Sequence, residues 1–270
     1  MPYELFAIRY ATSKPDRARY ENFLGLQFDP HDAPLPLDFF VWVARGGGRT
    51  ILIDGGCSSE TAAKRGHIYL RNPIESLKFI GVEPKDVDTV ISTHLHYDHA
   101  GNFDMLPNAT FHAAPEEIRH AVGPCMCQKL MRRPYDVDEV CEFVRLVYAD
   151  RVVYHSEPSE VAPGLWMHPV GGHTPGLSFV VATTRRGTVV LASDAMHFYD
   201  NGRLRLPYPV LTDVARYFEG LDKVYRYADS PEHIVPGHDP AVLRRYPPVS
   251  EKLAGVAVRL DVAPKPAEGV

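Results

Sequence analysis

The residues best suited to chemistry in this 270-residue chain lie in one stretch, residues 93–102, with three imidazoles and one carboxylate within six positions. Residues 87–92 before it alternate β-branched and small polar side chains, which is typical of a strand, and residues 100–102 are typical of a turn. The candidate ligands are therefore predicted to cluster at the end of a strand, where their spacing suits two metal ions better than one. These ligands are His94, His96, Asp98 and His99.

Three later loops each present one further metal-ligand type. His173 lies in the glycine-rich run 171–176, Asp194 ends the apolar run 189–193, and His238 follows Gly237. A single histidine in a glycine loop is more often a hydrogen-bonding or core residue than a ligand, but three imidazoles and an acid in one cluster would repel one another when protonated. Together the five histidines and two aspartates predict a dinuclear site with nitrogen and oxygen ligands.

The ligand types do not select one metal. Imidazole and carboxylate without thiolate suit zinc, and equally iron, manganese or cobalt, so the prediction is two divalent ions with zinc preferred. Two such ions share a water and bring its pKa towards about 7, which makes hydrolysis accessible at neutral pH.

Other polar residues leave alternatives open. Asp54, followed by two glycines after an apolar strand, is either an acceptor for the N–H of a ligating imidazole or a turn residue that serves its own backbone. The remaining histidines do not lie in a cluster of this kind and are interpreted as structural or surface residues. They are His31, His67, His112, His120, His155, His168 and His233.

Composition narrows the classes of partner. A formal net charge of -5 and a pI near 6.2 give no general attraction for nucleic acid or anionic lipid. No signal-peptide core or membrane-spanning run is visible, and four cysteines do not form a disulfide framework. A cytoplasmic protein with a small-molecule substrate is expected, and apolar residues between 23 and 28 leave a homodimer open.

Alternating strands and helices predict one α/β (α+β) domain over residues 1–250, followed by a C-terminal tail at 251–270. Residues 11–36 are irregular and could wrap the surface or overhang a site. Helical spacing broken at Pro134 predicts a helical insertion at about 123–150. This insertion is either a hairpin packed on the core or a lid whose Met and Phe side chains line an apolar substrate pocket.

Between about residues 39 and 246 the sequence resembles the metallo-β-lactamase superfamily, and within it the N-acyl homoserine lactone lactonases. The resemblance rests on five motifs, which are Leu52-Ile53-Asp54-Gly55-Gly56, the HxHxDH cluster, His173-Thr174-Pro175-Gly176, Asp194 after an apolar strand, and Gly237-His238. It implies a four-layer αββα sandwich.

The resemblance also implies how the ligands are shared. His94, His96 and His173 would hold one ion; Asp98, His99 and His238 would hold the second, with Asp194 bridging both. Asp98 would in addition carry a proton to the leaving group.

The sequence departs from the family pattern just after Asp194. Many of these lactonases have a tyrosine three residues further on, whose hydroxyl can hydrogen-bond the lactone. Here that position is His197, and Tyr199 follows two residues later. Either His197 or Tyr199 could replace the family tyrosine, although His197 could equally be a loop residue bonded to the backbone or signal another substrate.

The leading hypothesis is a metal-dependent lactonase in which a metal-bridging hydroxide attacks the lactone of an N-acyl homoserine lactone. A second hypothesis keeps this chemistry but changes the substrate to another ester, thioester, amide or β-lactam. A third is a non-hydrolytic metal-binding or redox protein, which the full set of seven ligands and the lack of a flavin-type domain after Tyr246 disfavour.

Overall fold

Two β-sheets pack face to face in the computed structural model, which describes residues 2–265. The strands are β1 Glu4–Thr12, β2 Asp38–Gly46, β3 Arg49–Ile53, β4 Ile68–Tyr69, β5 Thr89–Ile91, β6 Thr110–Ala113, β7 Val152–Tyr154, β8 Ser159–Ala162, β9 Leu165–Pro169, β10 Ser178–Thr184, β11 Gly187–Leu191, β12 Ile234–Val235 and β13 Ala257–Arg259. The α-helices are α1 Ser59–Lys64, α2 Pro115–Ala121, α3 Lys129–Arg132, α4 Val137–Tyr148, α5 Tyr199–Leu204, α6 Val214–Tyr227 and α7 Ala241–Arg245.

The larger sheet has the order β13-β1-β2-β3-β5-β6-β7, with β4 paired to β1. Strands β13, β1, β2 and β3 pair antiparallel with their neighbours, whereas β3, β5, β6 and β7 run parallel to one another. The hairpin between β2 and β3 turns at Gly47 and Gly48, both with positive φ, as a tight two-residue turn requires. The run of three glycines between two apolar, β-branched segments indicates such a hairpin in the sequence as well.

The smaller sheet has the order β12-β11-β10-β9-β8, and β11 and β12 pair in parallel. A core between the sheets contains Trp42 and Ile53 from the larger sheet and Val180 from the smaller. A second core joins the other face of the larger sheet to α4, and a third joins the smaller sheet to α6. Helix, sheet, sheet and helix therefore form four layers, as the resemblance implied.

Local differences from the sequence prediction have simple causes. In the sequence, Asn72-Pro73 and the apolar residues up to Gly81 favour an α-helix, but the structure forms the 3₁₀ helix Glu75–Ile80 instead. Asn72 caps this turn as expected, because its side chain accepts hydrogen bonds from the backbone N–H groups of Ile74 and Glu75. Gly81, with φ 72°, ends the segment before it completes a regular helix.

The insertion at 123–150 contains α3 and α4, and its two halves behave differently. Phe143 and Val140 on α4 are buried in the core, which matches the packed-hairpin interpretation. Leu130 and Met131, on α3, instead line an apolar hollow next to His96. A role of the insertion as a lid over a substrate pocket stays a prediction.

The range 251–270, predicted as a tail, contributes β13, which pairs with β1 and buries Val258 and Leu260. Residues 266–270 lie outside the described part of the chain. Among the helices that the structure describes, none has the length and apolar character needed to cross a membrane.

Glu139, on the buried side of α4, is 7% exposed, and burial raises the pKa of its carboxyl group to about 9. An unfolded glutamate has a pKa of about 4.3. Between this pH and about 9 the folded protein binds one proton more than the unfolded chain, so its free energy of unfolding falls as pH rises. We expect Glu139→Gln to raise the free energy of unfolding at pH 8 by about 1 to 3 kcal/mol, and by much less at pH 5. Urea unfolding at both pH values measures the effect, with Asp138→Asn, at an exposed neighbour, as the control. An equal gain in the free energy of unfolding of Glu139→Gln at pH 5 and pH 8 would contradict the assigned pKa shift.

Candidate metal centre

The predicted ligands meet at one edge of the two sheets, because each follows the carboxyl end of a strand. β5 leads into the HxHxDH loop, β9 precedes the loop of His173, β11 precedes Asp194, and β12 precedes His238. All seven are buried, with exposures between 0% and 8%. The structure therefore brings together every ligand that the sequence singled out.

Asp194 lies between two groups of side chains, and each of its oxygens faces one of them. Its Oδ2 is 3.0 Å from His173 Nε2 and 3.6 Å from His94 Nε2. Its Oδ1 is 3.0 Å from His238 Nε2 and 3.3 Å from His99 Nε2. This is the placement that a carboxylate shared by two ions requires.

The other two ligands complete the groups. His96 Nδ1 is 2.9 Å from His173 Nε2, and Asp98 Oδ2 is 3.6 Å from His99 Nε2 and 3.7 Å from His238 Nε2. The ligand atoms of His94, His96, His173 and Asp194 lie within 4.8 Å of one another, and so do those of Asp98, His99 and His238.

Several imidazoles are oriented by bonds on the side away from the site. His99 Nδ1 is 2.8 Å from Asp54 Oδ2, His238 Nδ1 is 2.9 Å from the carbonyl oxygen of Asp38, and His94 Nδ1 is 3.1 Å from Thr93 Oγ1. Each of these rings consequently directs Nε2 inward. Such outer bonds fix the tautomer and orientation of metal-ligating histidines.

The donor set fits metal ions on two further grounds. Nε2 of both His94 and His99 is buried without a hydrogen-bond partner among the described residues, which is costly unless another group binds there. Burial lowers the pKa of His94 and His96 well below the usual range, so both rings are neutral and offer a lone pair. Two ions would satisfy these atoms.

Asp54 is the acceptor that one interpretation of its turn predicted. Besides His99, its carboxylate accepts hydrogen bonds from the backbone N–H and the hydroxyl of Thr93, both at 2.8 Å. The next residue, Gly55, packs so closely that a Cβ there would lie 2.1 Å from the carbonyl oxygen of Gly101. The glycine is needed because the two turns touch.

Glu117, at the start of α2, joins two ligand loops, and sequence reasoning missed it. Its Oε1 accepts hydrogen bonds from the Leu95 backbone N–H and the Tyr135 hydroxyl, at 3.0 and 3.2 Å. Its Oε2 accepts them from the Thr174 hydroxyl and the Gly176 backbone N–H, at 2.6 and 3.1 Å. A single buried carboxylate thus fixes the loops that carry His96 and His173.

We expect Glu117→Gln to weaken zinc binding about ten- to hundredfold and to destabilise the fold by roughly 2 to 4 kcal/mol. The amide group of glutamine would present N–H donors to at least two groups that are themselves donors. Competition with a chelator measures zinc affinity, and denaturant unfolding measures stability. Glu116→Gln, a partly exposed neighbour, is the control; unchanged zinc affinity in Glu117→Gln would contradict the assigned role.

His197 and Tyr199, the candidates for the position of the family tyrosine, have different surroundings. Nε2 of His197 is 3.0 Å from Asp194 Oδ2, and burial lowers the pKa of this ring to about 3. Tyr199 lies outside the cavity, because its ring packs against the inter-sheet core with the Arg245 guanidinium 4.6 Å from its centroid. Tyr208 reaches the cavity instead, with its ring stacked on His197 at 3.9 Å.

A cavity of about 340 Å³ opens over the cluster. Such a volume suits a small organic molecule. Its lining residues are Arg17, Leu37, Phe39, Arg65, His67, His96, Tyr97, Asp98, Arg133, Pro134, His173, Asp194, His197, Tyr208, Val210 and His238.

Some of these lining residues could not be found from motifs. Arg17 lies within the irregular segment 11–36 and Leu37 follows it directly, and both line the cavity. His67, interpreted as structural or surface, contacts the Tyr97 hydroxyl through Nε2 at 2.7 Å. Tyr208 lies in a run with no motif, so only the fold reveals its position.

Comparison with known proteins agrees with this geometry. The chain is 28% identical to an N-acyl homoserine lactonase, AttM, of Azorhizobium caulinodans and 27% identical to AttM of Agrobacterium fabrum, over 83% of this chain and 89% of each relative. A solved N-acyl homoserine lactone hydrolase with N-hexanoyl-L-homoserine at its metal centre has a TM-score of 0.73 and 20% identity, over 90% of this chain and 96% of that one. The family model of the metallo-beta-lactamase superfamily matches residues 39–247. The chain belongs to the metallo-beta-lactamase superfamily.

Proposed function

We propose that this protein is a metal-dependent hydrolase that opens a lactone ring, with N-acyl homoserine lactones as the first candidate substrates. The observation that carries the proposal is Asp194, whose two oxygens face two separate groups of buried ligands beneath an open cavity. The names of the AttM relatives supply the substrate class.

The proposed ligand sets are those implied by the resemblance. His94, His96 and His173 would hold one ion, Asp98, His99 and His238 would hold the other, and Asp194 would serve both. When bound, two divalent ions lower the pKa of a shared water and polarise the ester carbonyl. Zinc is the proposed metal, although the ligand types also accept iron, manganese or cobalt.

Asp98 is proposed to move the proton to the departing alkoxide. It is the most exposed of the seven ligands at 8% and lines the cavity, so its carboxylate reaches both the metal site and the substrate. The Tyr10 hydroxyl donates a hydrogen bond of 2.8 Å to its backbone oxygen and holds the loop in place. A carboxylate held in this way can pass a proton without rearrangement of the backbone.

His197 is proposed to contact the ester group of the substrate. Its ring is neutral at neutral pH, lies against Asp194 and lines the cavity. Its Nδ1 is buried without a hydrogen-bond partner among the described residues, and this nitrogen would donate to an ester oxygen in the tautomer that carries the ring proton there. Tyr208, stacked on this ring, keeps it in place.

An apolar hollow beside the cavity suits an acyl chain. It borders His96 and His173 and is lined by apolar side chains from α3 and from the loop before α6, which are Leu130, Met131, Pro209, Val210 and Leu211. An acyl group that extends from a lactone at the metal ligands would bury its methylene groups here.

The test is ring opening of N-acyl homoserine lactones of several chain lengths by the purified zinc form. The proton released on ring opening measures the rate. His96→Ala is the control, since it removes one proposed ligand. Opening at least about a hundredfold faster than this control is expected. Rates no higher than the control for every chain length would overturn the lactonase proposal, and a panel of esters, thioesters and β-lactams would then identify the substrate.

Two further expectations from the sequence stay predictions. One is a cytoplasmic location, and the other is a homodimer formed through exposed apolar surface. Size-exclusion chromatography with light scattering tests the second.

A further inference from the structure

Three arginine side chains converge on the solvent side of the catalytic cavity. Arg17 comes from the segment between β1 and β2, Arg65 follows α1, and Arg133 precedes α4. Arg17 and Arg65 are half-buried and Arg133 is exposed, whereas the metal ligands at the base of the cavity are buried. Three distant parts of the chain therefore place a guanidinium group around one opening.

The positive charges of these arginines have few carboxylates of the protein near them. Among the described residues, Glu21 is the one carboxylate within 4.0 Å of any of them, at 3.7 Å from Arg17 on a partly exposed side chain. Arg65 donates hydrogen bonds to the backbone oxygens of Arg133 and Tyr135 and lies 4.4 Å from the centroid of the Tyr97 ring. Carbonyl oxygens and an aromatic face orient a guanidinium group but leave its charge uncompensated.

The arginines are also close to the reacting end of the cavity. Arg17 Nη2 donates a hydrogen bond of 3.4 Å to the Tyr208 hydroxyl, and Tyr208 stacks on His197 beside Asp194. Burial raises the pKa of Tyr208, whereas Arg17 and, more weakly, Arg133 lower it. Both guanidinium groups thus act on the same hydroxyl at the cavity wall.

The acidic residues of the site do not account for these cations. Asp98, Asp194 and Asp54 contact imidazoles of the proposed metal ligands. With a bound hydroxide, two divalent ions would balance the charge of these three carboxylates, so the metal-loaded site would have no negative charge left for three further cations. The arginines at the opening would then lack a counter-charge unless an anion bound between them.

We propose that Arg17, Arg65 and Arg133 bind an oxyanion on the substrate, so that this hydrolase prefers lactones or esters with a carboxylate or phosphate substituent remote from the scissile bond. The proposal rests on the proposed function in taking the metal ligands as the place where that bond lies. Guanidinium groups pair with both oxyanions through charge-assisted and often bidentate hydrogen bonds. The neutral acyl homoserine lactones would then be poorer substrates than their ω-carboxylated counterparts.

The first test measures binding without turnover. Isothermal titration of the zinc-loaded protein compares adipate, pimelate and suberate with monocarboxylates of the same length, and includes an ω-phosphonocarboxylate to distinguish carboxylate from phosphate recognition. We expect at least one dianion to bind about tenfold or more tightly than its monoanion, less so at high salt. Equal affinities of all dianions and monoanions would overturn the proposal.

Substitutions of single arginines show which side chain is responsible for the preference for a dianion. We expect Arg133→Gln to reduce the preference for the dianion about three- to tenfold, and Arg133→Lys to recover part of it. Arg132→Gln is the matched control, since this adjacent arginine lies outside the cavity lining and donates to the Met126 backbone oxygen. A preference equally reduced by Arg132→Gln and Arg133→Gln, or by neither of them, would overturn the assignment.

The second test measures hydrolysis. Butyrolactones with ω-carboxyalkyl chains of increasing length are compared with the corresponding carboxamides, and a higher kcat/KM for the acids is expected at one chain length. Equal kcat/KM for acid and amide at every length overturns the anion site while leaving lactone hydrolysis intact. Dianion binding that depends on Arg133 without any lactone opening overturns the lactonase and supports the anion site.

Discussion

Asp194→Asn is expected to lower the rate of lactone opening by roughly a thousandfold and to reduce the bound metal below two ions per chain. The carboxylate faces five imidazoles. Its Oδ2 is 3.6 Å or less from those of His94, His173 and His197, and its Oδ1 is 3.3 Å or less from those of His99 and His238. Asparagine keeps the shape but loses the charge, and only one of its two terminal atoms can accept a metal. The two groups of metal ligands would then no longer share a carboxylate.

Elemental analysis of dialysed protein measures the metal content of Asp194→Asn, and proton release measures the rate. Asp222→Asn is the control, because Asp222 is exposed and pairs with Arg205 on the surface. A variant that kept two tightly bound ions and activity within about tenfold of the parent would show that Asp194 is not shared between them.

Asp98→Asn is expected to lower kcat by about 10² to 10⁴ with a smaller loss of metal than Asp194→Asn. An amide oxygen can still occupy the ligand position, but an amide cannot give a proton to the leaving alkoxide. The effect should therefore depend on the leaving group. An aryl ester, whose phenolate leaves without a proton, should lose much less than an alkyl lactone.

The comparison of these two substrates separates the proton-transfer role of Asp98 from its role as a ligand. Metal content is measured on the same samples, so that activity can be expressed per occupied site. Equal losses on the alkyl lactone and the aryl ester would contradict proton transfer by Asp98 and leave it as a ligand alone.

The cluster of candidate metal ligands could be predicted from the sequence because its signal is local. Three imidazoles and a carboxylate in one loop are poorly explained by packing, and His173, Asp194 and His238 each lie at the end of a predicted strand or in a glycine-rich turn. Asp54 remained ambiguous, since a turn aspartate can satisfy its own backbone; its contacts with His99 and Thr93 exist only after two loops meet.

The cavity wall could not be predicted in this way. Tyr208 and Arg17 reach the site from irregular segments, and Glu117 acts from a helix whose acidic first turn would be expected in any case. Tyr199 illustrates the opposite problem, a residue that the sequence selects and the fold removes. Its short distance from Asp194 in the sequence made it a candidate for the position of the family tyrosine, but α5 turns its ring into the core. The cavity lining therefore includes residues that lack sequence motifs.

Metal-free protein, prepared with a chelator and titrated with zinc while lactone opening is followed, tests the central claim most directly. The account predicts no activity above His96→Ala in the metal-free form, and full activity only after two equivalents of zinc per chain have bound. Lactone opening at the full rate by the metal-free protein, or a titration that gives the same activity with His96→Ala, would contradict it.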